Sequence, residues 1–254
     1  MRIVYGPDDS QFGELYLPAG GDKPTPVVVV IHGGYWHAQY GLDLGAPLAA
    51  DLAAHGVAAW NIEYRRIENG GRWPATFDDV ATATDALVGP VQDAAHGRLD
   101  LAQVRAVGHS AGGHLAVWLA GRHTLTAGAP GSGPRVRVQR VVAQAGVLDL
   151  LAAERDGLGD GSAAELMGTS SNNDKQRYLL ASPQQQLPIG VPVTCVHGDA
   201  DTTVPPSQSA DYVSAAQAVG DHATLIRVAG ADHFALIDPT TRAWADCRDA
   251  LLAP

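Results

Sequence analysis

The sequence is poor in cysteine, since its 254 residues include only Cys195 and Cys247. Two cysteines cannot build the disulfide framework of a small secreted domain, and the absence of a Cys-x-x-Cys pair removes a common zinc signature. Cys195 lies in an apolar, strand-like run, where a free thiol behaves as a small buried hydrophobe. We therefore expect a fold that is stabilised by its core, without cross-links or a structural metal.

Basic residues and long apolar runs are also scarce. Lys and Arg number 17 against 27 Asp and Glu, for a formal net charge of −10, and the longest basic feature is the pair Arg65-Arg66. Nucleic-acid binding needs clustered cations, so this partner class is excluded. No stretch approaches 18 apolar residues, and the opening MRIVYGPDDS has no apolar signal core. We expect a soluble, cytoplasmic protein with no membrane span.

What is present is a regular alternation of strand-like and helix-like segments, which predicts an α/β fold with a mostly parallel sheet. The hydrophobic fraction of 46% is enough for a sizeable core. Residues 147–190 are polar and turn-rich, and we interpret them as a small lid-like excursion with two short helices inside a single domain, 1–254. The predicted strands are 12–18, 26–34, 57–65, 104–109, 138–146, 192–198 and 223–230, and the predicted helices are 42–56, 74–89, 111–123, 206–220 and 239–253.

One serine stands between two glycines where a predicted strand becomes a helix, in Gly108-His109-Ser110-Ala111-Gly112. Such a turn presents a nucleophile above the sheet, and its glycines remove Cβ atoms that would collide. The plain alternative is that Ser110 only caps the helix. The strand–turn–helix context favours Ser110 as a catalytic nucleophile.

A nucleophilic serine needs a base, and the base needs an orienting group. His233 follows the last predicted strand, which is the place of the base in this chain order. The loop after strand 192–198 offers Asp199 and Asp201 as acids. We select Asp201 because it lies further from the strand end, leave Asp199 as a turn former, and keep Asp149 as a reserve acid.

Acyl transfer also needs hydrogen-bond donors at the developing oxyanion. The sequence HGGYW follows strand 26–34, and its glycines allow backbone N–H groups of Gly33, Gly34 or Tyr35 to face the site. The N–H of Ala111, directly after the nucleophile, is the second expected donor. A plain Gly-Gly turn is the alternative.

Together, HGGYW, GHSAGGH and HGDADTTVPPSQS resemble the motifs of the α/β-hydrolase family, over about residues 12 to 252. The resemblance extends to its carboxylesterase, prolyl-oligopeptidase-like and kynurenine formamidase branches. It implies a central sheet of about eight strands with helices on both faces. It also implies that the second aspartate of the acid loop, Asp201, is catalytic. The resemblance to arylformamidases implies N-formylkynurenine as one candidate substrate.

Several aromatic and basic residues are candidates for the substrate pocket. Tyr35, Trp36 and Trp73 would supply apolar walls, although packing of loops against the core explains each of them as well. Arg65 or Arg66 would bind a substrate carboxylate, although pairing with structural acids is the more common use of such arginines.

These observations predict a serine hydrolase that cleaves a carboxylic ester of a small substrate through an acyl-enzyme, with no metal or organic cofactor. An arylformamidase, an acyltransferase and a non-catalytic binding module on the same fold are the alternatives. The expected partner is a small-molecule ester or amide, and a homodimer is left open.

Overall fold

The computed structural model describes residues 1–20 and 24–253. In these ranges eight strands form one sheet in the order β1-β2-β4-β3-β5-β6-β7-β8. The strands are β1 (Arg2–Val4), β2 (Phe12–Tyr16), β3 (Thr25–Ile31), β4 (Ala58–Ile62), β5 (Leu99–His109), β6 (Arg140–Gln144), β7 (Val193–Gly198) and β8 (Ala223–Val228).

Strands β3 to β8 pair in parallel, whereas β2 runs antiparallel to both β1 and β4. The prediction of a mostly parallel α/β sheet of about eight strands is therefore confirmed. Sequence analysis missed β1, because three residues are too few to show a periodic pattern.

Several α-helices are shorter than the predicted segments, because 3₁₀ turns form the ends of those segments. Predicted helix 42–56, for example, consists of a 3₁₀ turn at Leu42–Leu44 and a separate α-helix that begins after Gly45. The helices are α1 (Ala46–Ala54), α2 (Ala75–Asp85), α3 (Pro90–Ala94), α4 (Ala111–Gly121), α5 (Leu150–Arg155), α6 (Ser162–Met167), α7 (Lys175–Ala181), α8 (Ser207–Ala218) and α9 (Arg242–Leu252). None of the helices in the described ranges has both the length and the apolar character that crossing a membrane requires.

The β-branched run of β3 explains why the sheet is covered on both faces. Val27, Val29 and Ile31 point into one apolar core, and Val28 and Val30 point into the other. This division follows from the two-residue period of a strand, which sends successive side chains to opposite faces. A continuous apolar run is therefore required in the middle of this sheet.

Residues 147–190 carry three short helices, α5 to α7, where sequence analysis expected two. The segment is anchored to the body of the domain by backbone carbonyl groups. Trp118 Nε1 donates to Leu180 O over 3.0 Å, and the backbone N–H of Trp73 donates to Leu166 O over 2.7 Å. Tyr178 in α7 is fully buried. The lid motion stays a prediction.

Candidate active site

The turn between β5 and α4 places Ser110 at the carboxyl edge of the sheet. Ser110 has φ 55° and ψ −117°, a left-handed conformation that costs a non-glycine residue about 1–3 kcal/mol. The turn closes so tightly that a Cβ at Gly108 would lie 2.0 Å from Gly112 O, and one at Gly112 would lie 2.1 Å from Ile31 O. Glycine is therefore required at both positions, as the motif predicts.

His233 and Asp201 meet at the same edge although they lie 32 residues apart. The two atoms His233 Nδ1 and Asp201 Oδ2 are 2.6 Å apart, and both residues are buried. Since a carboxylate only accepts, Nδ1 carries the proton and donates it, which leaves Nε2 of a neutral His233 as a free proton acceptor.

The Asp201 carboxylate accepts hydrogen bonds on both oxygens. Oδ1 accepts from the backbone N–H groups of Thr203 and Val204 at 2.8 and 2.9 Å, and Oδ2 lies 3.2 Å from His197 Nε2. Burial alone raises the pKa of Asp201, but hydrogen bonds from His197 and His233 outweigh burial and lower that pKa well below its usual range. Asp201 is therefore ionised throughout the neutral and mildly acidic range.

Ser110 and His233 line one cavity of about 100 Å³. Its walls are mostly apolar, and the region 147–190 contributes none of the lining residues that the structure describes. The lining residues are Gly34, Tyr35, Tyr40, Leu44, His109, Ser110, Thr203, His233 and Phe234.

The HGGYW turn contributes Gly34 and Tyr35 to the lining of this cavity. A Cβ at Gly33 would lie 3.0 Å from Ser110 Cβ, so the backbone of the turn passes close to the nucleophile. Gly34, Tyr35 and Trp36 all have positive φ, at 110°, 48° and 61°. Ala111 is the first residue of α4, where N–H groups have no acceptor inside the helix.

A buried ionic network that sequence analysis missed holds this turn from behind. Glu63 lies 2.9 Å from His32 Nε2 and 3.0 Å from Arg66 Nη1, and it accepts from the backbone N–H of Leu42 at 3.1 Å. Burial raises the pKa of Glu63, but His32 and Arg66 lower it by a greater amount. In the sequence, the one indication of this role is the position of Glu63 directly after β4, the strand that pairs with β3.

The second residue that sequence analysis missed is His109, which immediately precedes the nucleophile. Its Nε2 lies 2.9 Å from His233 O, and the two imidazole rings are 4.4 Å apart between centroids. Burial, together with the neighbouring His233, lowers the pKa of His109 to about 3. His109 is therefore neutral and supports the backbone of His233.

The pocket predictions need correction at Trp36 and at the two arginines, Arg65 and Arg66. Trp36 is only 1% exposed and packs edge-on against His114, so it belongs to the core. The Arg65 side chain donates two hydrogen bonds to Asp79 at 2.6 and 2.8 Å. Among the residues that the structure describes, Arg65 is the one cation in an ion pair with the buried Asp79. Arg65 therefore serves the structural pairing that sequence analysis held as the alternative, and the same is true of Arg66 with Glu63.

The remaining candidates are divided between the cavity and other places. Tyr35 lines the cavity and donates its phenolic O–H to Thr203 O over 2.7 Å, whereas Trp73 packs on Phe77 outside the lining set. Asp199 accepts from the N–H of Gly230, and Asp149 caps α5. The structure thus brings Asp201 to His233, with Asp199 and Asp149 engaged elsewhere. The described residues contain no group of three His, Cys, Asp or Glu side chains suited to a metal ion.

Comparison with known proteins finds a matching family and curated relatives. Residues 14–215 match the BD-FAE family. Esterase LipC of Mycobacterium tuberculosis is 29% identical over 254 residues, which cover 93% of this chain and 60% of LipC. Kynurenine formamidase of Danio rerio is 28% identical over 116 residues, which cover 46% of this chain and 36% of that enzyme.

The fold also recurs among solved structures. A truncated carbohydrate esterase from gut microbiota superposes with a TM-score of 0.82 at 24% identity, covering 98% of this chain and 93% of that one. The chain thus spans nearly the whole of that structure but about 60% of LipC.

Proposed function

The chain belongs to the BD-FAE family and has the α/β-hydrolase fold, and we propose that it hydrolyses carboxylic esters of small substrates through an acyl-enzyme on Ser110. The observation that carries this proposal is the 2.6 Å contact between His233 Nδ1 and Asp201 Oδ2, on the edge of the cavity that Ser110 lines. The nucleophile, the base and the orienting acid then occupy the three roles of a serine hydrolase triad.

The proposed reaction has two stages, acylation of Ser110 and hydrolysis of the acyl-enzyme. Ser110 Oγ attacks the ester carbonyl carbon while His233 Nε2 takes the hydroxyl proton, and Asp201 stabilises the imidazolium that forms. Collapse of the tetrahedral intermediate breaks the bond to the alcohol oxygen, which leaves with the proton from His233. Water then attacks the acyl-enzyme in the same way, with His233 as base, and releases the acid and free Ser110.

Backbone N–H groups stabilise the negative oxygen of each tetrahedral intermediate. Those of Gly33, Gly34 and Tyr35 belong to the turn that passes Ser110, and that of Ala111 opens α4. Such fixed donors in a site with little water supply several kcal/mol of transition-state stabilisation in enzymes of this kind. The positive φ values of Gly34 and Tyr35 turn their peptide units away from strand geometry, which supports this role.

The size of the cavity supports a small substrate. Its volume of about 100 Å³ lies well below the several hundred Å³ of a typical drug-sized ligand pocket. LipC is an esterase by name, which supports ester hydrolysis as the reaction.

Arylformamidase activity is the second candidate, and the kynurenine formamidase match favours it. The same three residues would serve, with an aryl amine as the leaving group in place of an alcohol. An acyltransferase would differ only in that an added alcohol replaces water as the second nucleophile.

A fluorophosphonate probe tests the nucleophile directly. We expect stoichiometric labelling of the native protein and none of Ser110→Ala, with Ser214→Ala on the exposed face of α8 as the matched control. Labelling that persists in Ser110→Ala would overturn the assignment. Relative kcat/KM for p-nitrophenyl acetate and N-formylkynurenine then separates the two candidates, since a preference of about 100-fold corresponds to about 2.7 kcal/mol in the transition state.

A further inference from the structure

The side chain next to the base is placed to meet the leaving group. In the proposed reaction the alcohol oxygen receives its proton from His233, so the rest of the alcohol extends along the His233 side of the cavity. Phe234 follows His233 directly, and its ring centroid lies 5.4 Å from that of His233 and 6.2 Å from that of His109. Phe234 also lines the cavity together with Ser110.

Phe234 is held in place but left open to solvent. Its backbone N–H and that of Ala235 donate to Asp232 Oδ1 at 3.0 and 2.9 Å, and Leu236 anchors the same turn in the core. Its own side chain is nevertheless 58% exposed. A large aromatic ring on a fixed backbone gains by being covered, and a substrate that reaches Ser110 is in position to cover it.

The charge of the cavity restricts what that substrate can be. Among its lining residues in the described ranges there is no Lys or Arg. His109 is neutral because burial lowers its pKa to about 3, and the nearby Arg66 is paired with Glu63. A carboxylate on the leaving group would enter without a cation to pair with, which disfavours anionic alcohols.

We infer that Phe234 is a specificity-determining residue that binds an uncharged, apolar alcohol part, preferably an aromatic ring, of the ester. This inference rests on the proposed function, because it uses His233 as the proton donor to the leaving group. It also separates the ester from N-formylkynurenine, whose amino-acid carboxylate lacks a cation in this cavity.

The test compares phenyl acetate with ethyl acetate, which share the acyl group and differ in the alcohol. The ratio of their kcat/KM values is measured for the native protein and for Phe234→Ala, so that the intrinsic reactivity of each ester cancels. We expect Phe234→Ala to lower this ratio about tenfold, the effect of losing one aromatic contact of about 1.4 kcal/mol. Phe234→Leu should give an intermediate ratio.

Val219→Ala is the control, because Val219 is 50% exposed at the end of α8, away from the cavity lining. Its ratio should equal that of the native protein. An unchanged ratio in Phe234→Ala, or an equal fall in Val219→Ala, would overturn the inference. Ester turnover that survives in Ser110→Ala would instead overturn the proposed function, so the two failures are distinguishable.

A negatively charged substrate gives a second, independent test of the contact between residue 234 and the leaving group. Phe234→Arg places a cation where the aromatic ring stood. We expect this variant to favour p-carboxyphenyl acetate over phenyl acetate, in relative kcat/KM, by at least about tenfold more than the native protein does. No change in this relative rate would show that the leaving group does not reach residue 234 and would overturn the inference.

Discussion

The two walls of the cavity are held in different ways. One side carries the proposed base and acid and is called the acid–base wall; here Asp201 accepts directly from neighbouring backbone amides and from His233. The other side, which carries the proposed oxyanion donors and is called the oxyanion wall, is the HGGYW turn with its three consecutive positive φ values. Glu63, about 30 residues further along the chain, contacts His32 of this turn at 2.9 Å. The acid–base wall is held by contacts of the proposed reacting residues themselves, and the oxyanion wall is held by the buried ionic network of Glu63, His32 and Arg66.

This difference indicates which substitutions act on the chemistry and which act through position. Loss of a group on the acid–base wall removes a step of the proton transfer. Loss of a group behind the oxyanion wall leaves every proposed reacting atom present but frees the donors to move, and donors are worth most when they are fixed before the reaction begins. Substitutions on each wall should therefore differ in both size and kind of effect.

The largest effect is expected for Asp201→Asn. The amide cannot hold the Nδ1 proton of His233 as a carboxylate does, so the base loses its correct tautomer, and kcat/KM should fall by about 10³-fold or more. Steady-state kinetics with p-nitrophenyl acetate measure this. Asp199→Asn is the matched control and should lose less than about tenfold, since the Asp199 carboxylate accepts from Gly230 N and not from His233. A larger loss in Asp199→Asn would contradict the assignment of the acid.

Glu63→Gln should have the next largest effect. It keeps the shape of the side chain but leaves the buried cationic Arg66 without its counter-charge, which costs about 3 kcal/mol of unfolding free energy. Because the oxyanion donors then move, kcat should fall by about 10- to 100-fold with little change in KM. Urea unfolding and steady-state kinetics measure both, with the exposed Glu165→Gln as control. A loss of stability without any fall in kcat would separate the network from catalysis.

Acid should destabilise the protein through a buried histidine behind each wall. His109 packs on His233 and His114 packs on Trp36, and burial lowers their pKa values to about 3 and about 4. Below the unfolded value of about 6.5 the unfolded chain binds protons that the folded protein does not, so stability falls as pH falls. Between pH 7 and pH 5 each histidine should cost about 2 kcal/mol of unfolding free energy.

Urea unfolding at the two pH values measures this loss. His114→Gln does not titrate, so its stability should depend less on pH by about 2 kcal/mol over the same interval. An undiminished pH dependence in His114→Gln would show that other groups cause it. The carboxylates of Asp201 and Glu63 do not compete in this window, because their pKa values are lowered and most of their contribution to stability is lost at lower pH.

The smallest effect is expected for Tyr35→Phe, which breaks a hydrogen bond between the two walls. The Tyr35 O–H donates to Thr203 O over 2.7 Å, and a single neutral bond of this kind contributes about 1 kcal/mol. We expect kcat/KM to fall about fivefold. Tyr16→Phe, on β2, removes a hydroxyl that donates to Glu14 outside the cavity lining and should leave kcat/KM unchanged. Equal values for the two variants would mean that the walls are fixed independently.

The sequence by itself determined the parallel sheet and the positions of Ser110, Asp201 and His233 at strand ends. Both follow from local patterns. Strands and helices place apolar residues at characteristic intervals along the chain. The tight turn around Ser110 needs Gly108 and Gly112, because a Cβ at either position would collide with the backbone. The continuous apolar run of β3 likewise requires that both faces of this strand be covered.

Only the tertiary structure decided the partners of side chains that lie far apart in the chain. It paired Arg65 with Asp79, placed Trp36 in the core, and brought Glu63 against His32 of the HGGYW turn. The sequence shows that a residue is charged or aromatic, but it does not show whether the side chain contacts a substrate or a structural partner. Which of the two it meets depends on how strands and loops are brought together, and no local pattern records that.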